Sequence, residues 1–342
     1  MVVRMKGNNI LFFSVKFFSY DVKMKMKMEE LGAKVDMFDE RPIKSAFNRA
    51  LLKVVPILYT PITKRYYTRL IKKLKFNIYN YVFIYGPDMI TPSIMKKLRA
   101  HFPNAVLIAY CADSIYKKRR YERIIPYFDK FFTYDRKDYD FYSIKYDNLY
   151  FRPLFYLDKY ILDINGIETQ THTYDWSFIG TIHSDRQKII NYFIDYSKIY
   201  NLKYFNYPYL QSKFIFWFYK FTKSSFRNKK ITDFKYKKID SEEIFTILKN
   251  SKFILDMQHP KNTGLTMRTI ESIAMQCKII TTNEDIINYD FYNGDNIEII
   301  PRENIIIQNN FFDKPLSIIS KKILARYSLD CWIKDIFLEK EE

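Results

Sequence analysis

Short β-branched and aromatic runs alternate with longer amphipathic runs along almost the whole chain, and this alternation leaves few folds open. It requires βαβ units, hence mostly parallel sheets with helices on their faces. From Asn9 to about Leu154 the expected strands are Ile10 to Val15, Lys34 to Phe38, Tyr81 to Tyr85, Ala105 to Tyr110, Lys130 to Tyr134 and Leu149 to Arg152. A first crossover helix over Met24 to Leu31 stops at Gly32, where a left-handed cap is favoured, although the alternating KMKMKM would by itself suggest a strand. Residues Tyr156 to Thr173, with Gly166, lose the period and read as an interdomain linker. The alternation then restarts with strands at Trp176 to Ile179, Lys203 to Phe205, Lys252 to Met257 and Lys278 to Thr282. Helices are expected from Ser184 to about Tyr200, from Ser241, and over Thr266 to Met275.

A length of 342 residues suits two such lobes, 1–155 and 174–315. A helical tail over 316–342, with Ile319, Ile323, Leu324 and Tyr327 at helical spacing, is expected to cross back to the first lobe. Two doubly wound lobes would face each other across a cleft, with ligands at the carboxyl ends of their strands. Neither lobe carries G-x-G-x-x-G or the P-loop pattern, so nicotinamide and P-loop readings lack their main support. A net charge of +18 attracts anions without choosing among nucleic acid, an acidic membrane face and phosphorylated substrates. Cys111, Cys277 and Cys331 supply neither a disulfide framework nor paired metal-ligand spacing, which points to a reducing cytoplasm. Ile10 to Val15 reads as a strand and not as a signal peptide, and no apolar run approaches the length of a membrane span.

Site-like chemistry concentrates in Asp256 to Asn283, DMQHPKNTGLTMRTIESIAMQCKIITTN. A buried strand would lead into a polar, glycine-bearing loop from His259 to Thr266 and then a helix, whose N-terminus favours an anion. Ile270, Ile273, Ala274 and Cys277 form the core stripe of that helix. Arg268 and Glu271 leave that face as i, i+3 neighbours, which alone would make a surface ion pair.

The segment TGLTMRTIESIAMQCKIITTN resembles the C-lobe signature of GT-B glycosyltransferases, in which a glycine-bearing loop and an R-x-x-E helix start form the donor site. YDWSFIGTIHSDR, TTNEDIINYDFYNGDNIEIIPREN and YVFIYGPDMITPSIMKKLRAHFPNAVLIAYCADSI resemble bacterial capsule and lipopolysaccharide enzymes related to the CgeB-like group. The resemblance implies a nucleotide-sugar site formed by Gly180, Thr181, Arg186, His259, Lys261, Thr263, Gly264, Leu265, Thr266, Arg268 and Glu271. Glu271 would accept the ribose hydroxyls, while Arg268 and Lys261 would face the diphosphate. One departure bears on mechanism: members with paired glutamates carry a second Glu eight positions earlier, where this chain has Thr263.

Ser184 and Gln187 spell a capping box, which would start a helix with Arg186 near the diphosphate; His183 is a lesser catalytic candidate. On the acceptor side the expected loops are Ser14 to Ser19, Gly86 to Asp88 and Cys111 to Ser114. Asp113 is the candidate base there, with capping of a helix from Ser114 as the plainer role, and Asp88 reads as a turn residue. No metal or other cofactor is expected: Asp138-Tyr139-Asp140 is D-x-D only in spelling, away from a strand end. Lys213 to Lys230, KFIFWFYKFTKSSFRNKK, has the look of an interfacial membrane segment, and Lys64 to Lys75 could act with it.

The expectation is therefore a cytoplasmic enzyme, peripheral to the inner membrane face, moving a sugar from a nucleoside-diphosphate donor to a glycan or lipid-linked acceptor. The alternatives are a basic nucleic-acid-binding protein, which lacks a recognition motif, and a two-lobe nucleotide-sugar epimerase, which would need a His or carboxylate pair in the cleft.

Overall fold

A computed structural model describes residues 5–16, 19–41, 60–162, 171–307 and 311–337. The chain divides into two compact units, Met1–Leu154 with Leu329–Glu342, and Phe155–Ser328.

The first unit holds six parallel strands, β1 (Asn9–Ser14), β2 (Lys34–Asp39), β3 (Tyr81–Tyr85), β4 (Val106–Cys111), β5 (Lys130–Thr133) and β6 (Leu149–Phe151), in the order β2-β1-β3-β4-β5-β6. The central strands β1, β3 and β4 are almost continuously apolar because both faces of the sheet are covered there. The first crossover helix is α1 (Tyr20–Glu30). Leu11, Phe13, Val82 and Ile84 pack under α2 (Thr60–Lys73) and α3 (Pro92–His101), through Tyr67, Leu70, Ile94 and Leu98. The pleat turns Phe12 and Phe83 to the other face, where their rings stack at 5.2 Å.

Helix α1 explains its own misleading spelling. Met24 and Met28, one turn apart, are buried, while Met26 faces solvent. Met and Lys are good helix formers, so the two-residue alternation yields to a four-residue one. The helix ends in a Schellman motif, with Ala33 N donating to Met28 O and Gly32 N to Glu29 O. Gly32 has φ +100°, and a Cβ there would lie 3.2 Å from the Lys6 backbone.

A seven-residue helix, α4 (Arg136–Tyr142), joins β5 to β6. The second unit carries five parallel strands, β7 (Tyr174–Thr181), β8 (Tyr204–Tyr209), β9 (Ser251–Asp256), β10 (Lys278–Thr281) and β11 (Ile297–Ile299), ordered β11-β10-β9-β7-β8. Strand β11 is not among the expected elements: three residues between polar turns carry too little period to register. Between these strands run α5 (Arg186–Tyr200), α6 (Lys213–Thr222), α7 (Ser241–Lys249) and α8 (Met267–Ala274). Trp176 fills the second core and donates from Nε1 to Ser197 Oγ at 2.7 Å. Each unit is a Rossmann-like lobe.

Two expectations need correction. The linker is part of the second unit over 156–162, where Tyr156 and Tyr160 are buried and Tyr156 Oη donates to Leu324 O at 3.0 Å; Gly166 lies outside the described residues. The tail is two helices and not one, α9 (Lys321–Ala325) in the second unit and α10 (Leu329–Phe337), which groups with the first unit as a tail crossing back would. Helix α10 covers the second face of the first sheet: Trp332 sits 4.7 Å from the Tyr110 ring and 6.1 Å from Phe83, and Phe337 lies 5.1 Å from Phe83. Among the described residues no helix is long and apolar enough to cross a membrane.

Trp332→Ala should destabilise the first unit by about 3–5 kcal/mol, the usual cost of deleting a buried large aromatic. Chemical denaturation followed by a probe in that unit would register the loss.

Candidate functional site

At the carboxyl edge of the second sheet, β9 delivers Asp256 to the start of α8. Its Oδ2 accepts the hydroxyls of Thr266 at 2.8 Å and Thr269 at 2.5 Å, while Thr266 Oγ1 caps the helix by accepting from Thr269 N. The negative charge at this helix start thus includes the protein's own carboxylate, in addition to whatever anion the first-turn N–H groups attract.

Arg268 and Glu271 do pair, at 2.5 Å, but not on the surface. Glu271 is 3% exposed, because Thr269, Glu271 and Ser272 are buried along with the stripe of Ile270, Ile273 and Ala274. The helix is enclosed nearly all round. A buried carboxylate beside one guanidinium is a specific acceptor of further donors, and loss of either partner would leave a costly charge.

The loop from His259 to Thr266 is held from beneath. Asn283 Nδ2 donates to Thr263 O at 2.9 Å and to Gly264 O at 3.4 Å; Leu265 is buried and Lys261 exposed. Gln258 and Thr282 exchange hydrogen bonds across the ends of β9 and β10.

At the end of β7, the expected capping box does not form. Ser184 has φ 52°, Asp185 is the N-cap of α5 without a side-chain cap bond, and Gln187 is buried, donating to Asn191. Arg186 turns inward, donating to Thr181 O at 2.8 Å and to Met257 O. Burial pulls the pKa of its guanidinium down to about 10, partly offset by Asp256, so it stays charged. Gly180 makes room for it, since a Cβ there would stand 3.3 Å from Arg186 Nη1 and 2.9 Å from Phe178 Cζ. Arg302 completes the brace, pairing with Asp185 at 2.9 Å and donating to Gln258 O at 3.0 Å. The His183 and His259 rings lie 5.2 Å apart, and His183 Nδ1 is 3.0 Å from Ser184 Oγ.

The structure thus gathers Gly180, Thr181, Arg186, His183 and His259 at one edge position, and Thr266, Arg268 and Glu271 at its neighbour. Asp256, Gln258, Asn283 and Arg302 are not among the residues expected from sequence. Asp256 and Asn283 had a signal, as polar residues ending strands; Arg302 had none.

Asp113 belongs to the first unit. It accepts from Lys118 Nζ at 2.9 Å and lies 3.7 Å from Lys117 Nζ, and the chain after Ser114 forms turns in place of the expected helix. Asp88 is far more than a turn residue: Lys118, Arg120, Arg41 and Tyr121 all donate to it. Despite burial, Lys118, Arg41 and Arg120 hold its carboxyl well below the usual carboxylate range. Beside it Glu40 is fully buried; burial and then the Asp88 charge push its carboxyl up to about 8. Asp138 has a structural role, accepting from Ser114 Oγ, Ile115 N and Tyr116 N and so fixing the loop after β4. Among the described residues no three His, Cys, Asp or Glu side chains gather as a metal site. A cavity of about 460 Å³ opens at the opposite, amino end of β9 and β10, lined by Lys252, Cys277 and Lys278 among others, away from these groups.

No protein-family model matches the chain, and no curated protein matches it either. Solved structures do resemble it, over nearly its whole length. A glycosyltransferase from Rickettsia africae superposes with TM-score 0.58 at 11% identity, covering 98% of this chain and 100% of that one. The lipopolysaccharide outer core galactosyltransferase WaaB gives 0.54 at 12% identity, covering 96% and 97%. Anabaena HepE, determined with UDP and glucose, gives 0.57 at 9%, covering 96% and 98%. A UDP-GlcNAc 2-epimerase from Methanocaldococcus jannaschii gives 0.50 at 9%, covering 98% and 94%. The chain has the two-lobe Rossmann-like fold of these proteins.

Gly180→Ala should cost about 1–3 kcal/mol as an overpacking change, because Phe178 is buried and cannot yield freely; thermal unfolding would read it. Glu40 gives a pH signature. The folded protein keeps its proton where the unfolded chain has released it, so stability is full below about 4.5 and falls as pH rises toward 8. Glu40→Gln should remove up to about 1.4 kcal/mol per pH unit of that slope, seen by denaturation at successive pH values.

Proposed function

We propose that this chain is a glycosyltransferase that moves a sugar from a nucleoside-diphosphate donor to a surface polysaccharide or lipopolysaccharide acceptor, akin to the CgeB-like group. The observation that carries this reading is the buried Arg268–Glu271 pair at the start of α8, set at the carboxyl edge of the second sheet. Ligands of open parallel sheets bind at that edge. Two carboxylate oxygens suit a vicinal diol, and a guanidinium suits phosphate oxygens. On donor binding Arg268 would turn toward the diphosphate, and Glu271 would accept from the ribose hydroxyls. Lys261, exposed on the adjoining loop, would add positive charge. Arg186 and Arg302 are committed to backbone and Asp185, so they would act by holding the loops that meet the donor. HepE, of similar fold, holds UDP and a hexose, which supports a uridine donor among the candidates.

Asp113 would serve as the base for the acceptor hydroxyl once its pairing with Lys118 is relaxed by substrate. His183 is the alternative proton acceptor.

A second reading is favoured by one specific feature, the His183–His259 pair at 5.2 Å. Two titratable groups in one site could take and return a proton on a sugar carbon, as a nucleotide-sugar epimerase requires, and one epimerase shares the fold.

Thermal shift with UDP, GDP, ADP and CMP should show one of them stabilising the wild type, by about 2.7 kcal/mol at a hundred times its dissociation constant. Glu271→Gln should lose most of that increment relative to its own ligand-free melting point. An unmoved wild type sinks the donor-site assignment. Incubation with UDP-GlcNAc alone, followed by NMR of the sugar, separates the two readings: epimer formed without acceptor favours the second.

A further inference from the structure

Helix α6 is amphipathic in the wrong sense for a helix that only supports a core. Its inner side is ordinary: Phe216 is buried and packs on Phe234 at 5.5 Å and Phe226 at 6.3 Å. Its outer side carries Phe214, Trp217, Phe218 and Phe221, which are 78, 51, 56 and 82% exposed. These four stand at i, i+3, i+4 and i+7, so they form one continuous stripe pointing to solvent. Scattered exposed aromatics need no explanation, but a contiguous stripe does.

The surroundings of the stripe identify what it meets. Between residues 213 and 238 nine lysines and arginines stand against one acid, Asp233. Lys213, Arg227 and Lys230 are exposed, as are Lys235, Lys237 and Lys238. Two other lysines are spent on the fold: Lys220 Nζ donates to Lys229 O at 2.7 Å, and Lys223 Nζ to Ser184 O at 2.7 Å. A protein partner would be an awkward match, because lysine is depleted at protein interfaces. Bulky aromatics flanked by solvated lysines suit the headgroup boundary of an anionic bilayer, where rings enter the apolar layer and ammonium groups remain at the phosphates.

We propose that the outer face of α6 docks the second unit on an anionic phospholipid surface, with Phe214, Trp217, Phe218 and Phe221 inserted and the neighbouring lysines and arginine on the headgroups. The helix then lies in the plane of the interface and does not span it. This docking requires neither the donor nor the acceptor assignment, so it stands or falls separately from the proposed chemistry.

Trp217 supplies an internal probe, since the chain's other tryptophans, Trp176 and Trp332, are buried at 1 and 0%. Full-length protein is mixed with vesicles of phosphatidylcholine alone or with about 30% phosphatidylglycerol, enough to give a strongly negative surface. Expected are co-sedimentation with the anionic vesicles only, weakening with salt, and quenching of Trp217 fluorescence by lipids brominated near the headgroup. Phe214→Ser with Phe221→Ser should reduce partitioning roughly ten-fold or more while leaving the melting temperature within about one degree, as expected for exposed positions. Absence of binding, undiminished binding by the double variant, or salt-sensitive binding without Trp217 quenching would overturn insertion. Concentration-dependent dimerisation without lipid that the same variant abolishes would assign the face to a second copy and overturn the proposal.

Discussion

A parallel sheet has no face it can leave to water, and this constraint organises the first unit. Its central strands β1, β3 and β4 are apolar on both sides, so two layers of helix are needed, and the chain between β1 and β6 provides α2 and α3 for one face and α1 for part of the other. The remainder is covered by α10. Trp332 and Phe337 close over Phe83 and Tyr110, although the whole second unit intervenes in sequence. The first lobe is therefore completed by a segment that follows the whole second unit in sequence.

Charge burial is the second organising theme, and it falls at strand ends in both units. Asp256 is satisfied by two threonine hydroxyls at a helix start, Glu271 by Arg268, Asp185 by Arg302, and Asp88 by Lys118, Arg120 and Arg41. Asp256, Glu271 and Asp88 are buried charges and Asp185 is a partly exposed one, and the specific partners of each fix loop conformations that apolar packing alone would leave loose. Glu40 is the exception; its proton is retained because full burial disfavours the charged form, and the Asp88 charge beside it adds to that cost.

How far the site could be read beforehand depends on the range of the interactions that make it. The Arg268–Glu271 neighbour relation is a local consequence of helix geometry, and the segment from Asp256 to Asn283 announced it; Thr266, expected as the first helical residue, is instead the N-cap of α8. The same local logic misled at Ser184, whose S-x-x-Q spelling is overruled by a left-handed backbone and by Gln187 turning into the core. It also treated Asp88 as a turn residue, because the cations that surround it come from 41, 118 and 120 and meet it only after folding.

By itself the sequence determined the alternation of strands and helices, their parallel connection in two lobes, and the identity of the residues at the start of α8, since all of these follow from periodicity and short-range hydrogen bonding. Tertiary structure alone decided that Glu271 is buried and not on the surface, that Arg186 and Arg302 brace backbone instead of lying free, that Phe216 faces the core while Phe214, Trp217, Phe218 and Phe221 face solvent, and that Trp332 and Phe337 are the side chains that close over Phe83. The physical reason is common to all four: burial depends on which distant surface arrives to exclude water, and no local pattern encodes that arrival.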